Sequence, residues 1–491
     1  MLGIYVHTHW GYNHPYAART WMLVDWQNYL EGLAGLGYDF VVVWPQLDCM
    51  PPEPNASDHA FLETIAQMIN LAHERFGMRV AVTACANAIG NDKAASYVFQ
   101  NRPYFVCEKK VNPKDKVEVE AFLRDRLNQF RPLRKADAIA IIDSDPGGYI
   151  NSTKEEFVEL MKGQSEVFRS LNPSVELIYW MLTGWESYNH FWAETQKDES
   201  GQTNMWTNWK GEDFVETLTL LQQRITEPWS LFSCFPKHKE AIESLDLRNK
   251  ALWFPYGLVE AEPSFPLTNC NINALSNMLV PESLQAYPRG VIANAQTHCM
   301  QLPHTYMFAH FAKGGTRETV DLAGFAEDVL QGLGQTVAEG WLALEEGDAG
   351  TQRAAAENIR TAIGRKHTNG KLSGLLFGDS DRFLADLASN LDLRAALIDL
   401  KAAIEAGCEL LPRTLRRVFD ILVTYQQRLG FVDAYGGPLY DELNSKLACL
   451  GDTKLDAVLK LFNDWRNPSV RNGIVLRLLD AMDEYCRKKG V

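Results

Sequence analysis

The chain has 491 residues, 46% hydrophobic and 22% charged, a composition that excludes intrinsic disorder and leaves room for one large barrel plus a smaller domain. Lys and Arg number 48 against 62 Asp and Glu, giving a net charge of −14. That field repels phosphate backbones and anionic headgroups and no local basic patch offsets it, so neither a nucleic-acid nor a membrane partner is expected.

The first segment, MLGIYVHTHW, reads straight into a strand and lacks the basic and apolar regions of an export signal. No run of about 18 apolar residues follows anywhere, so no transmembrane helix is expected. The nine cysteines are scattered, odd in number and contain no CxxC pair. They read as reduced thiols, so a cytoplasmic location is expected.

Taken in order, the strand-like runs are GIYVH (3–7), YDFVVVW (38–44), RVAVTA (79–84), AIAIID (138–143), ELIYWM (176–181), SLFSCF (230–235), ALWFPY (251–256) and GVIAN (290–294). Amphipathic helical runs such as DWQNYLEGLAGLG and DHAFLETIAQMINLAHERFG sit between them. Each of these two meets its next strand at a helix-ending glycine. Eight doubly apolar strands within about 300 residues specify an α/β protein, a (β/α)8 TIM barrel. No glycine-rich phosphate loop follows the first strand, which counts against a doubly wound dinucleotide-binding sheet. Beyond residue 318 the period becomes helical throughout, and only two of the thirteen tryptophans remain. The expected division is a catalytic barrel over 1–318 and an α-helical domain over 319–491. The helical domain would cover the barrel mouth or form a homo-oligomer interface.

Barrels of this kind build their sites at the C-terminal strand ends. Those ends carry, in order, His7, His9, Trp10 and Arg19; Trp44 and Asp48; Asn87; Asp143 and Asp145; Trp180, Trp185 and Glu186; Lys237 and His238; Tyr256, Glu260 and Glu262; and Asn294, Gln296 and His298. Aromatic planes stack on sugar rings, while amides, imidazoles and arginine bind hydroxyls. Cleaving a glycosidic bond needs two acidic groups, one to protonate the leaving oxygen and one to act as base or nucleophile. Asp143 and Asp145 are two apart, so in an extended segment they share a side, where like charges raise one pKa toward that of a general acid. Glu186, Glu260 or Glu262 would supply a partner carboxyl from another strand. Against this, Asp145 before Pro146-Gly147 is also an ordinary turn former, and the tryptophans could be core.

His7-Thr8-His9 supports a rival. Alternate residues at a strand end put two imidazoles on one face, as in metal-dependent amidohydrolases. Where single histidines are expected the fifth strand ends in Trp180-Met181 and the sixth in Phe235-Pro236, and where an aspartate is expected the eighth ends in Asn294, so no metal ligand is assigned. No organic cofactor is implied. A carbohydrate-binding barrel without catalysis is the other alternative.

The stretches HPYAARTW, DWQNYLEGLAGLGYDFVVVWP, DSDPGGY and ANAQTHCMQLPHTY carry a resemblance. Together they resemble sugar-cleaving (β/α)8 barrels of the α-glucuronidase and β-N-acetylhexosaminidase-like kind, in which a helical domain follows the barrel. The likeness covers the barrel loosely and the helical domain only in kind. It implies a glycoside hydrolase acting on a carbohydrate substrate through carboxylate acid/base catalysis. Two departures stand out. The hexosaminidase Asp-Glu dyad is matched only by Asp143-Ser144-Asp145, and the Gly147-Gly148 turn is followed by Tyr149, Ile150 and Asn151 where an acidic residue is usual.

Overall fold

A computed structural model describes residues 1–6, 8, 18–102, 107–144, 147–149, 151–185, 211–255, 272–295, 302–377, 379–406, 411–429, 446, 456 and 474–491. Eight parallel strands form a closed barrel: β1 (Leu2–Val6), β2 (Phe40–Val43), β3 (Arg79–Cys85), β4 (Ala138–Ile142), β5 (Glu176–Met181), β6 (Trp229–Ser233), β7 (Ala251–Trp253) and β8 (Val291–Ala295). The first strand closes the ring by pairing with the last, Leu2 opposite Val291 and Tyr5 opposite Asn294, while its other edge pairs Gly3 with Phe40. Each of the eight strands coincides with one of the runs expected from sequence.

Both faces of these strands are buried, which is why they read as continuous apolar runs. On β4, Ile139 and Ile141 join the outer core under the helices, whereas Ala138, Ala140 and Ile142 face the barrel interior. The interior is plugged by large rings. Trp180 lies at its centre, 5.1 Å from Tyr5, 5.8 Å from Trp44, 5.8 Å from Phe232 and 5.0 Å from Phe254, centroid to centroid. Edge-on and tilted contacts of this kind add about 0.5–1.5 kcal/mol each beyond area burial. The barrel is a packed core and not a pore.

The helices between strands start and stop where local chemistry dictates. α1 (Leu23–Leu36) ends at Gly37, with φ 85°. α2 (Ala56–Leu71) starts at Asn55, whose side chain accepts from the Ser57 and Asp58 amides. α3 (Lys116–Phe130) is capped by Asp115, and α4 (Lys154–Leu171) by a Thr153/Glu156 capping box. α5 (Gly211–Arg224) and α6 (Pro236–Ser244) follow β5 and β6. Among the described residues the barrel's remaining helices are α7 (Ile272–Met278), α8 (Pro281–Gln285) and α9 (Leu302–Ala312). An antiparallel ribbon, Ala88–Gly90 with Glu108–Lys110, rises between β3 and α3.

The chain then becomes helical, as its periodicity implies: α10 (Leu322–Val329), α11 (Gly334–Glu346), α12 (Ala349–Arg360), α13 (Ser380–Glu405), α14 (Leu411–Leu429) and α15 (Ile474–Lys488). This region is not tethered loosely. The turn Ser373–Leu376 packs on α1, where a Cβ on Gly32 would sit 2.4 Å from Leu375 Cγ. Phe377 stacks on Tyr29 with centroids 5.8 Å apart and lies 4.7 Å from Trp21. One continuous apolar core runs from the outer barrel surface through Leu375 and Phe325 to Leu387. No helix among the described residues is long and apolar enough to cross a membrane.

Candidate active site

The mouth of the barrel is organised around the end of β4. Asp143 directly follows Ile142, on the outward side of the strand, and no solvent reaches it. Its carboxylate accepts from Ser144 Oγ at 2.6 Å, Tyr179 Oη at 2.8 Å, the Leu182 amide at 3.2 Å and the Gly184 amide at 3.2 Å. Burial pushes its pKa up to about 6, and these hydrogen bonds hold it from rising further. Next to it, Ser144 Oγ accepts from the Thr183 amide at 3.2 Å and lies 2.7 Å from Thr183 Oγ1. Three consecutive amides after β5 are therefore spent on two side chains at the end of β4.

The same turn is gripped from the other side. His238, in the first turn of α6, has Nε2 2.9 Å from the Leu182 carbonyl, while its Nδ1 accepts from the amides of Cys234 at 3.0 Å and Phe235 at 3.3 Å. Nδ1 is thereby the acceptor and Nε2 carries the proton. Burial lowers the His238 pKa to about 3, so the ring is neutral at any ordinary pH. The turn itself depends on Gly184, whose φ of 93° a side chain would strain. It delivers Trp185, which stacks on Phe157 at 4.8 Å and 12° and donates from Nε1 to Ser152 Oγ at 3.1 Å.

The turn after β4 is held too. Lys110, on the ribbon, donates from Nζ to the Gly147 carbonyl at 2.7 Å, and Asn87 Nδ2 donates to the carbonyls of Gly148 and Val111, each at 3.0 Å. A Cβ on Gly147 would lie 1.9 Å from the Asp143 carbonyl oxygen, so only glycine fits. Burial brings the Lys110 ammonium down to about 8, against the pull of Glu108 and Cys85.

The remaining expected residues fall into distinct environments. Asp48 is fully buried, paired with Arg126 at 2.9 Å, and accepts from Trp44 Nε1 at 2.6 Å and the Cys85 amide at 2.8 Å. Arg19 spends its guanidinium on the carbonyls of Phe99 at 2.5 Å and Arg102 at 3.0 Å. Trp44 and Trp180 belong to the interior plug, with Trp180 Nε1 3.2 Å from Cys234 Sγ. Trp185 packs outside the barrel against α4. Asn294 faces inward near the mouth end of β8, wholly buried, with neither amide atom hydrogen-bonded among the described residues. His7, His9, Trp10, Asp145, Glu186, Tyr256, Glu260, Glu262, Gln296 and His298 lie outside the described residues. Among the described residues no cluster of three or more His, Cys, Asp or Glu could hold a metal ion.

The sequence does not single out Tyr179, Ser144 or Lys110, and it marks His238 only as a strand-end residue. The signal for Tyr179 is its register, directly opposite Ile141 and so on the same outward face as Asp143. For Lys110 no spacing in the sequence would have served, because its place depends on a ribbon that packs on the segment after β2, Gly90 donating to the Met50 carbonyl.

No protein-family model matches the chain, and no curated protein sequence does. Among solved structures, a family 89 glycoside hydrolase from Clostridium perfringens, in complex with 2-acetamido-1,2-dideoxynojirmycin, aligns with a TM-score of 0.51 at 9% identity over 99% of this chain. The match spans 63% of that protein, less than two thirds of its length. A Thermobaculum terrenum O-GlcNAc hydrolase variant aligns at TM-score 0.38 and 12% identity, covering 95% of this chain and 91% of the other. An N-acetylneuraminate lyase from Aliivibrio salmonicida gives 0.35 and 11%, covering 79% and 95%. At these identities the likeness is one of fold. The chain is a (β/α)8-barrel protein with a C-terminal helical region, an architecture that hosts many chemistries.

Proposed function

We propose that the protein is a glycoside hydrolase working by carboxylate acid/base catalysis at the C-terminal mouth of its barrel. One observation carries the reading. The Asp143 carboxyl stitches the end of β4 to the turn after β5, and each stitched segment leads within two residues into a further acidic side chain, Asp145 on one and Glu186 on the other. Two acidic groups offered from adjoining strands are what glycosyl cleavage requires. Asp143, buried and fully hydrogen-bonded, acts through its neighbours, and the groups that meet the sugar are Asp145 and Glu186, with Glu260 or Glu262 after β7 as a third contributor. Asn294 offers an unspent donor and acceptor to sugar hydroxyls, in company with His7, His9, Trp10, Tyr256, Gln296 and His298.

A cytoplasmic location is supported by Cys49, Cys85, Cys107, Cys234 and Cys486, all of which are thiols. Self-association through the helical region is part of the proposal and is read by sizing in solution.

The test is turnover of aryl glycosides, N-acetylated sugars first because a solved neighbour is in complex with an acetamido compound, then uronic and neutral sugars, with and without chelator. Chelator-resistant release is expected, falling about 10²–10⁴-fold in Asp145→Asn and Glu186→Gln. Release that chelator abolishes and zinc restores would replace this reading by a metal hydrolase built on His7 and His9. Sugar affinity with no turnover at any pH would leave a binding barrel.

A further inference from the structure

Among the described residues of the mouth, the turn 182–185 is bonded from two neighbouring segments. Its amides run to Asp143 and Ser144, and its Leu182 carbonyl runs to His238, so strands β4 and β6 hold it from both sides. The residue after Trp185 is Glu186.

We propose that His238 is a positioning residue which, acting against Asp143 through the Leu182 peptide, fixes the direction in which the chain leaves β5 toward Glu186. This rests on the glycosidase reading for its kinetic consequence but not for its structural one. His238 contributes a shape and a single tautomer, not a titrating proton. Its Nδ1 is committed to two backbone amides, which leaves an N–H at Nε2 aimed at the Leu182 carbonyl. Its two nitrogens have separate roles: the Nδ1 bonds cap the start of α6, and the Nε2 bond holds the turn. Without the second, the Leu182 carbonyl loses that donor, and the turn keeps only its hold from the β4 side, through Asp143 and Ser144. A misplacement of about 1 Å in a catalytic group can cost on the order of 100-fold in rate.

Two substitutions separate the roles. In His238→Asn the side-chain oxygen reproduces Nδ1 and keeps the α6 cap, but nothing reaches Leu182. In His238→Gln the longer amide reproduces Nε2 and reaches Leu182, but the cap is lost. Amide hydrogen exchange at Leu182, Thr183 and Gly184 is measured in the full chain alongside kcat, KM and Tm. The expected result is faster exchange at those three amides and a kcat at least tenfold lower with KM nearly unchanged in His238→Asn. In His238→Gln, protection and most of kcat return although Tm falls further. If kcat instead tracks Tm in both variants, or exchange at 182–184 is unaltered in His238→Asn, His238 is only a helix cap and the proposal is overturned. The exchange arm needs no substrate: protection lost in His238→Asn and regained in His238→Gln upholds the positioning even if no glycoside is turned over, in which case it is the glycosidase reading that has failed.

Discussion

Asp143→Asn removes a negative charge from a carboxyl that no solvent reaches, while leaving its shape. In the folded chain burial holds this group at about 6, against an ordinary value of 3.8. A carboxyl raised in this way makes the folded state the better proton binder between the two values. Stability therefore falls as pH rises from about 4 to about 6, and the loss is complete above the folded pKa. A displacement of that size is worth about 3 kcal/mol. Asparagine escapes this loss because it never ionises. It has its own cost, independent of pH, because its NH2 group can only donate, whereas either form of the carboxyl keeps lone pairs on both oxygens. Ser144 Oγ can turn to accept from it, but the Leu182 amide, which now reaches both oxygens at 3.2 Å, keeps only one acceptor. That cost is about 1–2 kcal/mol. Urea denaturation of both proteins at pH 4 and pH 7 reads the difference directly. The wild type is expected to be more stable at pH 4 by about 1–2 kcal/mol, and the variant to draw level or overtake by pH 7. A gap that is constant with pH, or that widens in favour of the wild type as pH rises, would refute the argument that burial dominates at this carboxyl.

Two further outcomes follow from packing. Asp48→Ala strands the Arg126 guanidinium in the interior, with the Trp44 indole and the Cys85 amide unanswered, and is expected to cost about 3–5 kcal/mol by denaturant titration. Gly32→Ala drives a methyl into Leu375, at a cost of about 1–3 kcal/mol, and Gly32→Ala combined with Leu375→Ala should not be the sum of the two single changes.

The architecture was legible because parallel barrel strands must be apolar on both faces and their helices end at glycines such as Gly37 and Gly77. Runs like FVVV and AIAII have no other home. The wiring of the mouth was not legible in the same way. Spacing does not say which way a strand-end residue faces: Trp180 shares the inward side with Ile178, whereas Asp143, one residue past Ile142, turns outward to Tyr179. Nor does it reveal partners far along the chain. Arg126 meets Asp48 across 78 positions, Arg19 meets the Phe99 carbonyl across 80, and His238 meets the Leu182 carbonyl across 56. Such pairs exist only once the barrel has brought successive strand ends together.

The seat of Leu375 over Gly32 also sets a clock on synthesis. The two residues are 343 positions apart (375 less 32), and β1 must likewise wait for β8 before the ring can close. At roughly 5–20 residues per second, the apolar outer face of α1 leaves the ribosome on the order of 20–70 s before the segment that covers it. During that interval Trp21 and Tyr29 lack Phe377 and the Gly32 face lacks Leu375, and the nascent chain needs a holding chaperone or a low concentration of its own kind to avoid aggregating.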